Sequence, residues 1–329
     1  MKNFKIIFLM ASIASAVILT LAGVVTFAIG MTMLDWDFRR LDPDYGAGFV
    51  QRIHHTAEEL VEENISAVNI ISDTGRGRDL IVTTRAANDF ALYESDVEHF
   101  TSTSSIEDGV LNITVKTDGW SGVDGFWFRG MMTLRTRIYI PEGVTLNIGD
   151  ASRIRFNGSV RVEDLDVETI GIHINSGSVR LNNVTVADDV NIRNDSGMVR
   201  INGLTADGNI SLNNNSGEIR VNNVTSTYGD ITITGRSGII RADGITARDI
   251  TATNTSGSIR LESVTLTGNL TFNNGSGTVR VSINGRLNDF DIDVQVRSGT
   301  GDMSIPNANA DQRIYGRVSS GSSRVTFLG

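Results

Sequence analysis

One motif constrains this chain more than any other feature: Ser-Gly-x-(Val/Ile)-Arg, which returns about every twenty residues through the second half. It reads Ser176-Gly177-Ser178-Val179-Arg180, then SGMVR from Ser196, SGEIR from Ser216, SGIIR from Ser237, SGSIR from Ser256 and SGTVR from Ser276. Asn157-Gly158-Ser159-Val160-Arg161 is an earlier copy, and Ser298-Gly299 and Ser320-Gly321 are looser late ones. The glycines fall at 158, 177, 197, 217, 238, 257, 277, 299 and 321, with spacings of 19, 20, 20, 21, 19, 20, 22 and 22. So steady a period marks a solenoid of stacked units.

The unit from Ser176 to Asp195 shows what each turn contains. Val179 and Leu181 alternate with Ser178, Arg180 and Asn182, the period of a half-buried strand. Asn182 and Asn183 turn the chain, Val184 and Val186 begin a second inward set, and Val190 and Ile192 make a third. Val199/Ile201 with Ile210/Leu212, Ile219/Val221 with Ile231/Ile233, and Ile259/Leu261 with Leu270/Phe272 keep the scheme. β-branched residues and a Gly in every unit exclude helical repeats. The expected fold is therefore all-β: a single-stacked parallel β-solenoid, or β-helix, of about twenty residues per turn. An isolated turn has too little core to fold alone, so both ends need covers that block edge pairing.

The period also explains the composition. The chain has 329 residues with 34 Gly, 3 Pro and no Cys. The recurring Ser-Gly pair sits where the chain must turn sharply, and Gly supplies φ > 0 there at little steric cost. In a stack, Asn194, Asn214, Asn254 and Asn274 fall in one column, and Thr185, Thr205, Thr225, Thr246 and Thr265 in another. Such ladders satisfy polar groups from one turn to the next. The absence of Cys excludes disulfide staples, thiolate zinc sites, a Cys nucleophile and a lipid-modified Cys.

The N-terminal half is built differently. No charged residue lies between Ile6 and Leu34, a run of 29 residues preceded by Lys2 and Lys5 and followed by Asp35 and Asp37. That length crosses a ~30 Å hydrocarbon core, and the charge bias keeps the N-terminus cytoplasmic and everything after residue 34 outside. A cleaved signal peptide fits less well, because the small pair Ala14/Ala16 lies in the middle of the apolar run. The expectation is a single-pass membrane protein with a cytoplasmic N-terminus and anchor over 1–34, held in the membrane by residues 6–34. A juxtamembrane spacer over 35–64 follows, with a short helix opened by the Thr56–Glu59 capping box and an apolar face of Leu60 and Val61. Residues 65–149 form an irregular β cap and the first turns, with strands at Ala67–Ile71, Leu80–Thr84, Val110–Val115, Leu134–Ile140 and Val144–Ile148. The regular solenoid covers 150–329. The Gly-interrupted stretch holding Trp120, Phe126, Trp127 and Phe128 is a loop over the open end of the stack, or an aromatic contact for sugar or lipid.

Chemistry is harder to find. Acids are scattered rather than paired in a groove. Asp289, Asp291 and Asp293 alternate with Phe290, Ile292 and Val294, as on the solvated face of a strand. His54 and His55 are neighbours that point apart, and His173 sits at an alternating strand position as a packed or exposed side chain. There is no phosphate loop, HExxH or Gly-x-Ser-x-Gly motif. No cofactor, metal or catalytic residue is predicted.

The arginines are the unusual element. Residues 150–329 carry 17 Arg and no Lys. Arg161, Arg180, Arg200, Arg220, Arg241, Arg260 and Arg280 share one register three residues after the turn Gly, and Arg324 returns to it after Asp302 interrupts. Neighbours ~4.8 Å apart repel by about 1 kcal/mol even in water. Glu218, Asp243 and Glu262 stand in adjacent columns to relieve this. The column reads either as an exposed face that resists edge-on aggregation or as a linear site for a polyanion. The net charge of −9 excludes a general nucleic-acid binder.

Taken together, the strand Ala67–Ile71, the segment Leu111-Asn112-Ile113-Thr114-Val115, the arch from Ile138 to Leu146 and the Ser-Gly-x-(Val/Ile)-Arg units resemble the putative-adhesin family of bacterial cell-envelope proteins. The resemblance covers residues 65–329. It implies a β-solenoid, surface attachment and membrane-anchored members encoded beside envelope-stress regulators, and it supplies no ligand or catalytic residue. The resulting expectation is a non-catalytic, extracytoplasmic solenoid for adhesion or stress-related envelope interactions, with an anionic cell-wall polymer or another envelope protein as partner. A structural scaffold that binds no glycan, and a polysaccharide-active β-helix enzyme, are the alternatives.

Overall fold

The computed structural model describes residues 49–73, 78–84, 87–95, 100–117, 134–149 and 156–328. The apolar run 6–34 and the loop holding Trp120, Phe126, Trp127 and Phe128 lie outside them. Among the described residues no helix is long and apolar enough to cross a membrane.

The chain from Val50 onward is one compact unit. Its strands in order are β1 (Phe49–His55), β2 (Ala67–Asp73), β3 (Arg78–Thr83), β4 (Phe90–Ser95), β5 (Phe100–Glu107), β6 (Val110–Thr117), β7 (Leu134–Tyr139), β8 (Thr145–Ile148) and β9 (Phe156–Val167). The regular coils follow as β10 (Ile170–Val186), β11 (Val190–Ala206), β12 (Ile210–Ser226), β13 (Ile231–Ala247), β14 (Ile250–Leu266) and β15 (Leu270–Ile283). β16 (Phe290–Val296), β17 (Gly299–Thr300), β18 (Met303–Ile305) and β19 (Gln312–Phe327) end the chain. All join one sheet wound into a solenoid.

Each coil is a nearly unbroken strand bent at two corners. In β10 the first face buries Ile170, Ile172 and Ile174, the second Val179 and Leu181, the third Val184 and Val186. The first corner is the Ser-Gly pair, where Gly177 has φ 127°. The second is a left-handed residue: Asp164, Asn183, Gly203, Asn223, Gly244 and Ser263 occupy it in successive coils. β10 pairs with β11 in parallel from Ile170↔Val190 to Val186↔Ala206, and parallel pairing runs on through β12, β13 and β14 to β15, where the register shifts by one residue between Leu261 and Val264. Backbone bonding continues through the intervening turn, with Ala187 N donating to Val167 O and Val190 N to Asn209 O.

Two polar ladders stitch the coils. Inside, Asn194, Asn214, Asn254 and Asn274 are buried, and each donates through Nδ2 to the corner glycine carbonyl of the preceding coil at 3.0 to 3.4 Å. The threonine column also forms, since Thr185, Thr205, Thr225, Thr246 and Thr265 pair in register. At the turns runs a second hydrogen-bonded ladder that the repeat had not announced. Asp189 accepts from Asn209 N, Asn209 from Asp230 N, Asp230 from Asp249 N, Asp249 from Asn269 N and Asn269 from Arg313 N.

The stack departs from sequence order at both ends. β2 lies between β6 and β8, and β3 between β7 and β9, so the first coil is enclosed by segments that follow it. Outside them, β5 and β4 run antiparallel to β6 and β7 and close that end. At the other end β19 inserts between β15 and β16, parallel to both, and β18 covers β16 antiparallel. The late Ser-Gly pairs are therefore stacked in the order Gly277, Gly321, Gly299. Within the expected spacer, residues 49–55 form strand β1, which pairs with β4. Helix α1 (Ala57–Glu62) follows with its capping box formed, burying Leu60 and leaving Val61 exposed.

Candidate functional site

The second face of the solenoid carries the arginine ladder. Inward-facing residues on either side, mostly Val, Ile and Leu, turn each Arg outward, and the corner glycine lies three residues earlier. Arg161, Arg180, Arg200, Arg220, Arg241, Arg260 and Arg280 pair in register from coil to coil. Insertion of β19 places Arg324 directly on Arg280, so Asp302 does not break the column. Asp302 instead accepts a hydrogen bond from Val296 N in the end cover. Eight guanidiniums thus follow one another at the ~4.8 Å spacing of paired strands.

Carboxylates are distributed unevenly along this line. Glu163 lies 3.6 Å from Arg161. Glu218 bonds Arg220 at 3.0 Å and stands 3.9 Å from Arg241, while Glu262 bonds Arg260 at 2.6 Å. The hydrogen bond that Arg260 donates to Glu262, then the charge of Glu262, raises the Arg260 pKa above its usual value, with Asp243 adding to the field. Of the carboxylates the sequence placed in the flanking columns, Glu218 and Glu262 make ion pairs, and Glu163 is a third that it missed. Arg180, Arg200, Arg280 and Arg324 make no ion pair among the described residues. The Nε atoms of Arg180 and Arg200 are buried and lack an acceptor. Buried donors in this condition are uncommon in folded proteins. Beside the ladder, Arg241, Arg260 and Arg280 frame a shallow depression of about 240 Å³ with the hydroxyls of Ser258 and Thr278.

Other candidate groups are committed locally. His54 bonds Asp89 at 2.8 Å and His55 bonds Ser104 at 3.2 Å. Asp291 faces Arg313 at 3.4 Å, Asp289 accepts from Arg286 N, and Asp293 accepts from Gln295. Among the described residues no three His, Cys, Asp or Glu side chains converge on a metal position. Asp230 holds Arg248 through two bonds of 2.9 and 3.0 Å, which raises the Arg248 pKa.

Comparison with solved structures finds a putative adhesin from Parabacteroides merdae at 14% identity, covering 84% of this chain and 96% of that one, with a TM-score of 0.39. A putative adhesin from Bacteroides fragilis is 13% identical over 84% of this chain and 97% of that one, with a TM-score of 0.30. A putative cell adhesion protein from Clostridium sporogenes is 8% identical over 85% and 99%, with a TM-score of 0.24. No curated protein matches the chain. The family model Toastrack DUF4097 matches residues 91–327, which takes in the whole arginine ladder and most of both end covers. This chain belongs to the Toastrack DUF4097 family.

Proposed function

We propose that this adhesin-like solenoid is a non-catalytic binding domain, held at the cell surface by residues 6–34, whose arginine ladder engages an anionic envelope polymer. The observation that carries the reading is the uninterrupted column of eight Arg, four of which have no carboxylate partner among the described residues. Repulsion along such a line costs free energy in the unbound protein, and a polyanion laid across it reverses the sign of that interaction. A phosphate or carboxylate can be gripped by the guanidinium Nη donors of the arginines that have no carboxylate partner. The ladder extends over seven spacings, or ~34 Å, enough for several repeat units of a teichoic-acid-like chain.

The test is binding of the full chain to purified polyglycerol phosphate at two or more salt concentrations. Paired substitutions Arg180→Gln with Arg200→Gln, and Arg280→Gln with Arg324→Gln, are expected to weaken binding at least tenfold each and to flatten its salt dependence. Arg248→Gln, on the turn ladder, serves as control. Unchanged affinity in both double variants would leave the column as a solubilising face and favour the scaffold reading.

A further inference from the structure

The first face carries a polar feature on residues that the arginine reading does not use. Near the N-terminal cover an amide ladder runs up this face. Asn69 Nδ2 donates to Asn112 Oδ1 at 3.0 Å, and Asn147 Nδ2 donates to Asn69 Oδ1 at 3.0 Å. The next position in this column is Gly171, and the one after it is Asn191. The ladder therefore lacks one rung, and its two sides stand two strand spacings apart, or ~9.6 Å.

The gap is shaped and chemically one-sided. A Cβ on Gly171 would lie 2.6 Å from Asn147 Oδ1, so the Asn147 amide leans over the glycine and turns its oxygen toward the side of the missing rung. That oxygen accepts no hydrogen bond among the described residues. The vacancy opens into a depression of about 500 Å³ lined by Asn69, Asn147, Asn191, His173 and Arg193, with the half-buried Ile71 at its edge. This volume falls within the range of small-ligand sites. Arg193 already faces Asp195 at 3.4 Å, so the lining is rich in amides and poor in free charge. Such a surface suits an uncharged ligand with amide and hydroxyl groups rather than an anion.

We propose that this depression binds an N-acetylated amino sugar of a glycan chain, whose acetamido group takes the missing rung. The acetamido N–H donates to Asn147 Oδ1, as the side chain of Asn147 donates to Asn69. Its carbonyl oxygen faces the Asn191 amide, hydroxyls of that sugar reach His173, and the C–H face of a neighbouring ring of the glycan rests on Ile71. The ligand thereby continues the geometry the protein uses between its own coils.

Titration calorimetry of the full chain with N-acetylglucosamine tetramer and with cellotetraose, which lacks only the acetamido groups, tests this. The acetylated tetramer is expected to bind at least tenfold more tightly, with little dependence on salt. Gly171→Asn, whose Cβ must push Asn147 Oδ1 out of its 2.6 Å approach and which closes the rung from within, is expected to abolish that binding. Asn191→Ala, exposed and outside the ladder's hydrogen bonds, should weaken binding severalfold without changing the melting temperature, which keeps the test open if Gly171→Asn misfolds. Arg280→Gln with Arg324→Gln should leave it unchanged, so failure of the polyanion reading and failure of this one are separable. Equal binding of the two tetramers, no binding of either, or full binding by Gly171→Asn or Asn191→Ala would overturn the proposal.

Discussion

From Gly177 onward, the glycine of each Ser-Gly corner lies against the carbonyl oxygen of the equivalent glycine in the neighbouring coil. A Cβ on Gly217 would collide with Gly197 O, and Gly217 also has φ 122°, a conformation reserved for glycine. Two independent reasons thus hold the same residue type, where φ alone was legible in the sequence. Gly217→Ala is expected to destabilise the domain by about 3 kcal/mol or more in urea denaturation. A loss below about 1 kcal/mol would show that the stack yields at little cost. The buried asparagine ladder has its own gap at Gly235, which pairs with Asn214 and Asn254 and has an ordinary φ. Gly235→Asn can donate to Gly217 O as its neighbours do, for a gain of about 1 kcal/mol. The nearest obstacle to its Cβ is Asn254 Oδ1 at 3.0 Å, a contact that must widen slightly. A lower melting temperature in that variant would mean that it does not.

At the scale of elements, the long repeats were legible because a coil announces itself within twenty residues. Burial of Val179, Leu181, Val184 and Val186 follows from alternation alone, and the Arg register follows from the glycine period. The strand order at the ends was not legible. Which segment neighbours β15 is decided by a pairing 44 residues away, Leu270↔Ile314, rather than by the next coil in sequence. Local pattern therefore misread Asp302 as a break in the arginine column. The turn ladder escaped for a related reason: Asp189, Asn209, Asp230, Asp249 and Asn269 alternate in type, and only their shared bond to the next coil's N–H unites them. β19 also carries a prediction. Removing residues 312–329 strips the partner from both β15 and β16 and leaves open parallel edges. Light scattering of that truncation is expected to show oligomers or aggregates, and a stable monomer with unchanged melting temperature would contradict the role assigned to β19.

At the scale of the molecule, the two proposed sites occupy different faces of one scaffold and ask for different chemistry. The ladder of guanidiniums is a line, suited to a polymer and sensitive to salt. The amide gap on the first face is a point, suited to a single sugar and largely indifferent to salt. Backbone pairing holds both in register, so neither needs a mobile loop to form. The arginines were visible beforehand because they repeat; the amide gap was not, because Asn69, Asn112 and Asn147 come from strands far apart in sequence.

Interleaved ends have a consequence for how such a chain changes length over generations. Because β2–β3 and β19 are locked between neighbours, an added coil is accommodated only in the middle of the array. Each duplication there brings its own corner Gly and its own Arg. Growth is therefore quantised: the protein gains or loses reach in steps of one coil, and the number of charges it presents rises or falls with it.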